Sequence, residues 1–303
     1  MTNYIRFDWA MKRMLRDKAN HEVIEGLLTS LLGEKVTIKE FLESEGNQKD
    51  EDDKFNRVDI LAENDREELL IIEIQNTREL AYFQRMLYGV SKAITDYIGL
   101  GDKYDKVRKV YSINIVYFDL GQGEDYIYHG KTIFKGMHEP YDTLRLSRYQ
   151  TQRFFGIVPK DREDARSAGD IFPEYYVLRV DDFDKVAKTP LDEWIEFLKT
   201  GRISDTATAP GLDRARKCMQ FDELSAADRR AYLRHMEAVR TQNSVLETSH
   251  EEGREEGREE GRKEGIENEK IETAKRLISM GLSVEQVSQG TGLNIAEVKK
   301  LIQ

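Results

Sequence analysis

The chain has 303 residues, a formal net charge of −10, five histidines and one cysteine. That length supports one large domain or two smaller ones, and the lone Cys218 excludes an internal disulfide framework and fits a reducing cytoplasm. The acidic balance argues against a broad electrostatic nucleic-acid surface, so any DNA contact must rest on local Arg and Lys. No apolar run reaches the ~20 residues of a bilayer span, and Met1 to Arg16 lacks a signal-peptide core. The expectation is a soluble cytoplasmic protein with no membrane partner.

Residues 8–32 read as two helices split near Asp17-Lys18-Ala19-Asn20, with Val23, Leu27, Leu28, Leu31 and Leu32 as an apolar face. A strand is expected at 35–43, followed by an acidic loop at 44–54 that carries Asp50-Glu51-Asp52-Asp53. Two further strands, at 57–63 and 69–76, flank the polar turn Glu63-Asn64-Asp65-Arg66-Glu67-Glu68 and predict an antiparallel hairpin. In Leu70-Ile71-Ile72-Glu73-Ile74-Gln75, strand alternation turns Glu73 and Gln75 to one face and Leu70, Ile72 and Ile74 to the other.

A buried carboxylate costs several kcal/mol or more unless it is paired or metal-bound. Asp59 and Glu73 on adjacent strands therefore call for a cation. Two carboxylates that hold Mg²⁺, beside a polar group that orients water, suit phosphodiester hydrolysis. The plainer alternative is an Asp at a hairpin edge and a Glu/Gln face on a half-solvated sheet.

Residues 79–99 predict a helix in which Phe83, Leu87, Val90, Ile94 and Ile98 form the apolar stripe. Arg85, Tyr88 and Lys92 then make a polar stripe, read either as a phosphate contact or as a solvated face. Residues 109–118 are the clearest central strand, and strands are also expected at 125–135 and 141–148. The five histidines contain no His-X-X-X-His pair, and no phosphate loop or Gly-X-Ser-X-Gly elbow is present, which argues against zinc, ATPase and serine-hydrolase readings.

Past residue 160 a polar stretch leads into apolar spacing over 171–200, and Thr200 to Gly211 reads as a linker. Ser225 is placed to cap a long helix with Tyr232, Met236, Val239 and Leu246 on one face. The Glu-Glu-Gly-Arg repeat that begins at Glu251 puts Gly253, Gly257, Gly261 and Gly265 at every fourth residue. Each Gly costs ~0.8–1 kcal/mol against Ala in a helix, so a charged spacer or weak helix is favoured over a close-packed helical pair. Capping boxes that start at Ser283 and Asn294, around Gly290-Thr291-Gly292, predict three short helices. They resemble a helix-turn-helix whose last helix offers Lys299, Lys300 and Gln303 to DNA; a small interaction bundle is the alternative.

The order Asp…Glu-X-Gln on a hairpin after N-terminal helices resembles the PD-(D/E)XK nuclease core. Phe7-Asp8-Trp9-Ala10-Met11-Lys12, Ile72-Glu73-Ile74-Gln75 and Tyr82-Phe83-Gln84-Arg85-Met86-Leu87-Tyr88 are together similar to its recombination-promoting nuclease (Rpn) or transposase-like branch, over roughly residues 5–150. The resemblance implies Asp59 and Glu73 as ligands of Mg²⁺ or Mn²⁺, Gln75 where the general pattern has Lys, and a further acid from the first helices, Glu22 or else Glu25. It makes Arg85, with Lys92, the candidate DNA contact.

The expected fold is α/β, a PD-(D/E)XK restriction-endonuclease-like mixed central sheet flanked by helices, with an α-helical C-terminal extension. The expected layout is a nuclease-like domain at 1–200, a linker and long helix at 201–250, the repeat at 251–270 and the tail at 271–303. The expected function is a metal-dependent DNA endonuclease that forms a homo-oligomer through its C-terminal helices. The rival is a catalytically degenerate DNA-binding or assembly protein that keeps the fold.

Overall fold

The computed structural model describes residues 4–13, 20–42, 59–99 and 101–302. The acidic loop at 44–54, the helix break at 17–19, the first residues of the expected strand at 57–63 and Gln303 lie outside the described residues. Two compact units are resolved, Met1–Arg229 and Arg230–Gln303.

The first unit is built on a six-stranded mixed sheet in the order β1-β2-β3-β4-β6-β5. Its strands are β1 (Ile38–Leu42), β2 (Ile60–Asn64), β3 (Leu69–Gln75), β4 (Val110–Val116), β5 (Ile127–Gly130) and β6 (Glu174–Arg179). Strands β1, β2 and β3 form an antiparallel meander, β3, β4 and β6 run parallel, and β5 closes the edge antiparallel to β6. The β2–β3 turn is shaped by its own side chain. Asn64 Oδ1 accepts from the backbone N–H groups of Arg66 and Glu68 at 3.0 and 2.9 Å, and Glu67 takes the left-handed conformation at φ 61°.

Helix α1 (Phe7–Arg13) and helix α2 (His21–Leu32) precede the sheet, and α3 (Tyr82–Asp96) makes the crossover between the parallel strands β3 and β4. Leu61, Leu69, Ile71 and Val110 pack with Val90 and Ala93 of α3, while Val116 and Val177 pack with Tyr82 and Met86. The alternate strand residues, among them Leu70, Ile72, Ile74, Ile113 and Ile115, are buried toward the opposite face. Helix α5 (Pro190–Thr200) closes that side: Tyr117 of the β4 edge donates to the Leu198 carbonyl at 3.0 Å, and Phe7 meets Trp194 and Phe197 edge-on.

Three expectations change here. The buried stripe of α3 is Tyr82, Met86, Gly89, Val90 and Ala93, whereas Phe83 and Leu87 are 52% and 59% exposed. The packed face is therefore rotated by about one residue, or ~100°, from the one the spacing suggested. Residues 141–148 form no strand. They make only isolated bridges, and Ser147 instead caps α4 (Arg148–Phe155) through a capping box with Gln150. Strand β6, an interior strand between β4 and β5, lies within the apolar run 171–200, for which the sequence predicts no strand.

The stretch read as a linker is packed. Glu193 of α5 accepts from the backbone N–H groups of Thr208 and Ala209 at 2.8 and 2.6 Å, and Trp194 Nε1 donates to the Pro210 carbonyl at 3.1 Å. Gly211 begins α6 (Leu212–Cys218), which packs on α2 with Leu212 and Ala215 buried. The Ile5 N–H donates to the Met219 carbonyl, so this segment closes back on the N-terminal strand of chain.

The second unit contains most of α7 (Ala226–Ser279), together with α8 (Val284–Thr291) and α9 (Ile295–Lys300). Helix α7 runs unbroken through the repeat, the helical one of the two forms, spacer or weak helix, expected there. Ser225 caps it, accepting from the Asp228 N–H at 3.1 Å, and residues 247–269 are all solvent-exposed. The side chain of Leu246 lies outside the described residues. At the far end Ala274, Val287, Leu293 and Val298 form a small core with Leu277, Ile278, Val284 and Leu301. Both expected capping boxes are present, and Gly281 and Gly292 end their helices at positive φ. Ile295, the first residue of α9, is 46% exposed.

Candidate active site

The β2–β3 register pairs Ile60 with Ile72 and Leu61 with Ile71, so one step outward Asp59 stands opposite Glu73. Leu61 and Ile71 both face α3, and by alternation so do Asp59 and Glu73. Asp59 Oδ2 accepts from the Ile74 backbone N–H at 2.8 Å, which fixes the carboxylate across the strand pair. Glu73 is 5% exposed. Burial pushes its carboxyl above the ordinary value; Arg85 pulls the other way, and the carboxylate of Asp59 adds to the rise. The two carboxyl groups are close enough to repel each other.

Arg85, in the first turns of α3, comes down on this pair. Its Nη2 lies 2.5 Å from Glu73 Oε1, and its Nη1 donates to Glu79 Oε2 at 3.1 Å. The approach to Glu73 is close but off-axis, so Glu73 Oε1 and Arg85 Nε have no hydrogen-bond partner among the described residues. Burial disfavours the charge on Arg85, but Glu73 and Glu79 outweigh it and hold the guanidinium protonated. Arg85, read from the sequence as either a phosphate contact or part of a solvated face, here makes an inward ion pair, because it flanks the buried stripe at Tyr82 and Met86. Lys92 lies half-exposed on the same flank of α3.

Two side chains complete the floor. Glu73 is in register with Asn114 of β4, and the buried Tyr82 hydroxyl donates to Asn114 Oδ1 at 3.3 Å. Asn114 Nδ2 in turn donates to Ser112 Oγ at 3.0 Å. Asn114 carried the same signal as Glu73, a polar residue inside an apolar strand, and could have been found by it. Gln75 follows Glu73 on the same face and donates from Nε2 to the Thr77 carbonyl at 3.2 Å.

Asp8 of the N-terminal motif is buried and accepts from Arg6 Nε and from Asn76 Nδ2, both at 3.0 Å. Arg6 also donates to Asn76 Oδ1 at 2.8 Å. This cluster ties α1 to the chain just beyond Gln75. Glu22 does not join the pair. Val23, Ile24, Leu27 and Leu28 take the buried face of α2 and turn Glu22 to solvent, on a helix that packs with α5 and α6. Glu25 is used elsewhere, accepting from the Ile38 N–H at 2.7 Å.

Among the described residues no three His, Cys, Asp or Glu side chains form a ready-made metal cage. The donors do fit an ion held by two carboxylates, with water and substrate phosphate supplying the rest, as Mg²⁺ prefers. Glu73 Oε1, buried and lacking a hydrogen bond, is the oxygen such an ion would satisfy.

Residues 5–142 match the family model described as PD-(D/E)XK nuclease family transposase. The match covers less than half of the chain, and over these residues the chain is similar to that family. The match takes in α1, the hairpin with Asp59 and Glu73, α3 and β4. It agrees with the mixed sheet and flanking helices of a PD-(D/E)XK α/β fold and supports a nuclease-type function for the first unit. PD-(D/E)XK nucleases in general use divalent metals. No curated protein and no solved structure matches the chain. No described helix is long and apolar enough to cross a membrane.

Proposed function

We propose that the chain is a metal-dependent DNA endonuclease of the recombination-promoting, transposase-like type. The observation that carries this reading is the register that sets Asp59 opposite a buried Glu73 on the α3 face of the sheet. Two carboxylates so close together, one with an oxygen lacking a hydrogen bond, favour a bound cation. Asp59 and Glu73 would hold Mg²⁺ or Mn²⁺, which when bound neutralises charge on the scissile phosphate and makes a water more acidic. Lys92 is the candidate phosphate contact. Incubation of supercoiled plasmid with the protein and Mg²⁺ should give nicked circles that EDTA suppresses. Plasmid binding without nicking in either Mg²⁺ or Mn²⁺ would favour the degenerate scaffold instead.

Gln75 is assigned the orientation of the attacking water or of a phosphate oxygen, because its amide offers both a donor and an acceptor beside Glu73. Its bond to the Thr77 carbonyl is at the long end of the ordinary range and can be exchanged for a substrate contact. Gln75→Ala should slow nicking by roughly 10-fold or more, the scale of one lost hydrogen bond to a charged group. Gln75→Lys, which restores the general pattern, should equal or exceed the parent rate. Three equal rates would make Gln75 a passive strand residue.

The C-terminal unit is assigned to self-association. What supports this is a helix exposed all round over residues 247–269, a state that needs a partner or many ion pairs to persist. Glu252, Glu256 and Glu260 flank the glycine row on one side, and Arg254, Arg258 and Arg262 on the other. In a parallel pair each Glu row would meet an Arg row; an antiparallel pair would oppose like charges. Light scattering should give a multiple of the 35.2 kDa chain mass, and truncation after Thr248 should lower the state. An unchanged state would assign assembly to the first unit.

A further inference from the structure

Arg85 is the one cation that touches the buried carboxylate among the described residues, and it does so from a second anchor. Its two terminal nitrogens are divided between Glu73, 5% exposed, and Glu79, whose side chain is 37% exposed at the start of α3. The contact to Glu73 is short but misaligned, whereas the contact to Glu79 is a hydrogen bond. A metal ion bonded to Glu73 Oε1 would need the space that Arg85 Nη2 now fills at 2.5 Å. Two positive groups cannot share that oxygen: their repulsion in a low-dielectric site adds to the direct overlap. The chain of contacts offers Arg85 somewhere else to go. Glu79 can take both nitrogens in a bidentate pair, the geometry a guanidinium favours.

From this we infer that Arg85 is the internal counter-ion of Glu73, bridging Glu73 and Glu79, and that metal binding displaces it onto Glu79. The inference rests on the reading of Asp59 and Glu73 as metal ligands. It has two consequences. Without metal, Arg85 neutralises the buried Glu73 and offsets its repulsion from Asp59. With metal, the affinity is reduced by the cost of lifting Arg85 off Glu73, so the site fills only when the ion concentration is high enough to outcompete an internal cation.

The test is calorimetric titration of the full-length protein with MnCl₂, without DNA, for the parent, Arg85→Gln, Arg85→Lys, Glu79→Gln and Asp59→Asn, each checked for fold by circular dichroism. Arg85→Gln should bind Mn²⁺ about 10-fold more tightly or better, the scale of one charge-assisted hydrogen bond no longer broken. Arg85→Lys is the deciding variant. It keeps the charge but lacks the fork that spans both glutamates, so displacement requires it too to bind more tightly than the parent, and a mere field effect requires it to match the parent. Glu79→Gln should weaken binding several-fold, since the displaced guanidinium loses its anchor. In crystals soaked with Mn²⁺, the anomalous signal should lie on Glu73 with Arg85 turned to Glu79.

Parent-like affinity in Arg85→Lys, or Arg85 still on Glu73 in the Mn²⁺-bound crystal, overturns the inference. Should Asp59→Asn bind Mn²⁺ as tightly as the parent, the metal-site reading itself fails. Lost binding in Asp59→Asn with parent-like binding in both Arg85 variants removes only the role given to Arg85.

Discussion

Asp59→Asn should abolish Mn²⁺ binding by calorimetry and lower the plasmid-nicking rate by about 100-fold or more, with the fold unchanged. Loss of a partner one step removed from a metal costs 10–100-fold, and loss of a direct ligand should reach or pass the upper end of that range. The substitution is chosen for what it preserves. The bond from the Ile74 N–H to Asp59 Oδ2 needs only an acceptor, and the Asn carbonyl oxygen supplies one. Asp59→Ala removes that acceptor as well and would mix a structural cost of about 1 kcal/mol into the result. Glu73→Gln should lose metal to a similar degree while becoming easier to bury, since a neutral amide beside Arg85 no longer opposes desolvation. A nicking rate in Asp59→Asn within twofold of the parent, at matched purity, would place the chemistry outside this hairpin.

Much of the geometry behind that prediction was legible because strand alternation is rigid. Once Asp59 and Glu73 were on two strands joined by an Asn-containing turn, the period of two fixed their shared face, and the turn fixed the register. The helical part was less legible for a physical reason. In α3 the apolar residues cover more than half the circumference, so spacing alone could not decide between Phe83/Leu87 and Tyr82/Met86 as the packed side. The small Gly89 and Ala93, which admit the sheet closely, were the better indicators. Glu22 illustrates a different limit. Its position in α2 was clear, but which face of the sheet the helix covers depends on Trp194 and Leu212, residues more than 150 positions away in the chain. Glycine propensity could not decide between a spacer and a weak helix in the repeat, whereas the helix there extends a well-capped segment and need not nucleate by itself. The family resemblance located the motif residues. It carried no information on Arg85's inward turn, which follows from Glu79 and the true stripe.

Gly26→Ala should be among the most damaging single-atom additions in the first unit, while the same change at Gly253 should stabilise the second. A Cβ at position 26 would collide with the carbonyl oxygen of Pro210 and stand 2.6 Å from Gly211 Cα, both backbone atoms that no rotamer can relieve. Moving Pro210 breaks its bond from Trp194 and strains the two backbone bonds to Glu193, so the stretch 208–211 would lift from α2 and α5 together. Overpacking of this kind costs about 1–3 kcal/mol, here with the lost hydrogen bond in addition. For a unit of this size that corresponds to a fall in Tm of roughly 5–10 °C. At Gly253 nothing lies within 4 Å of a new Cβ, so only helix propensity changes, in favour of Ala by ~0.8–1 kcal/mol. Calorimetric melting of the two variants separates the cases. If Gly26→Ala melts with the parent, residues 201–211 are a linker after all, and the packing of α6 on α2 contributes little to the unit that carries the site.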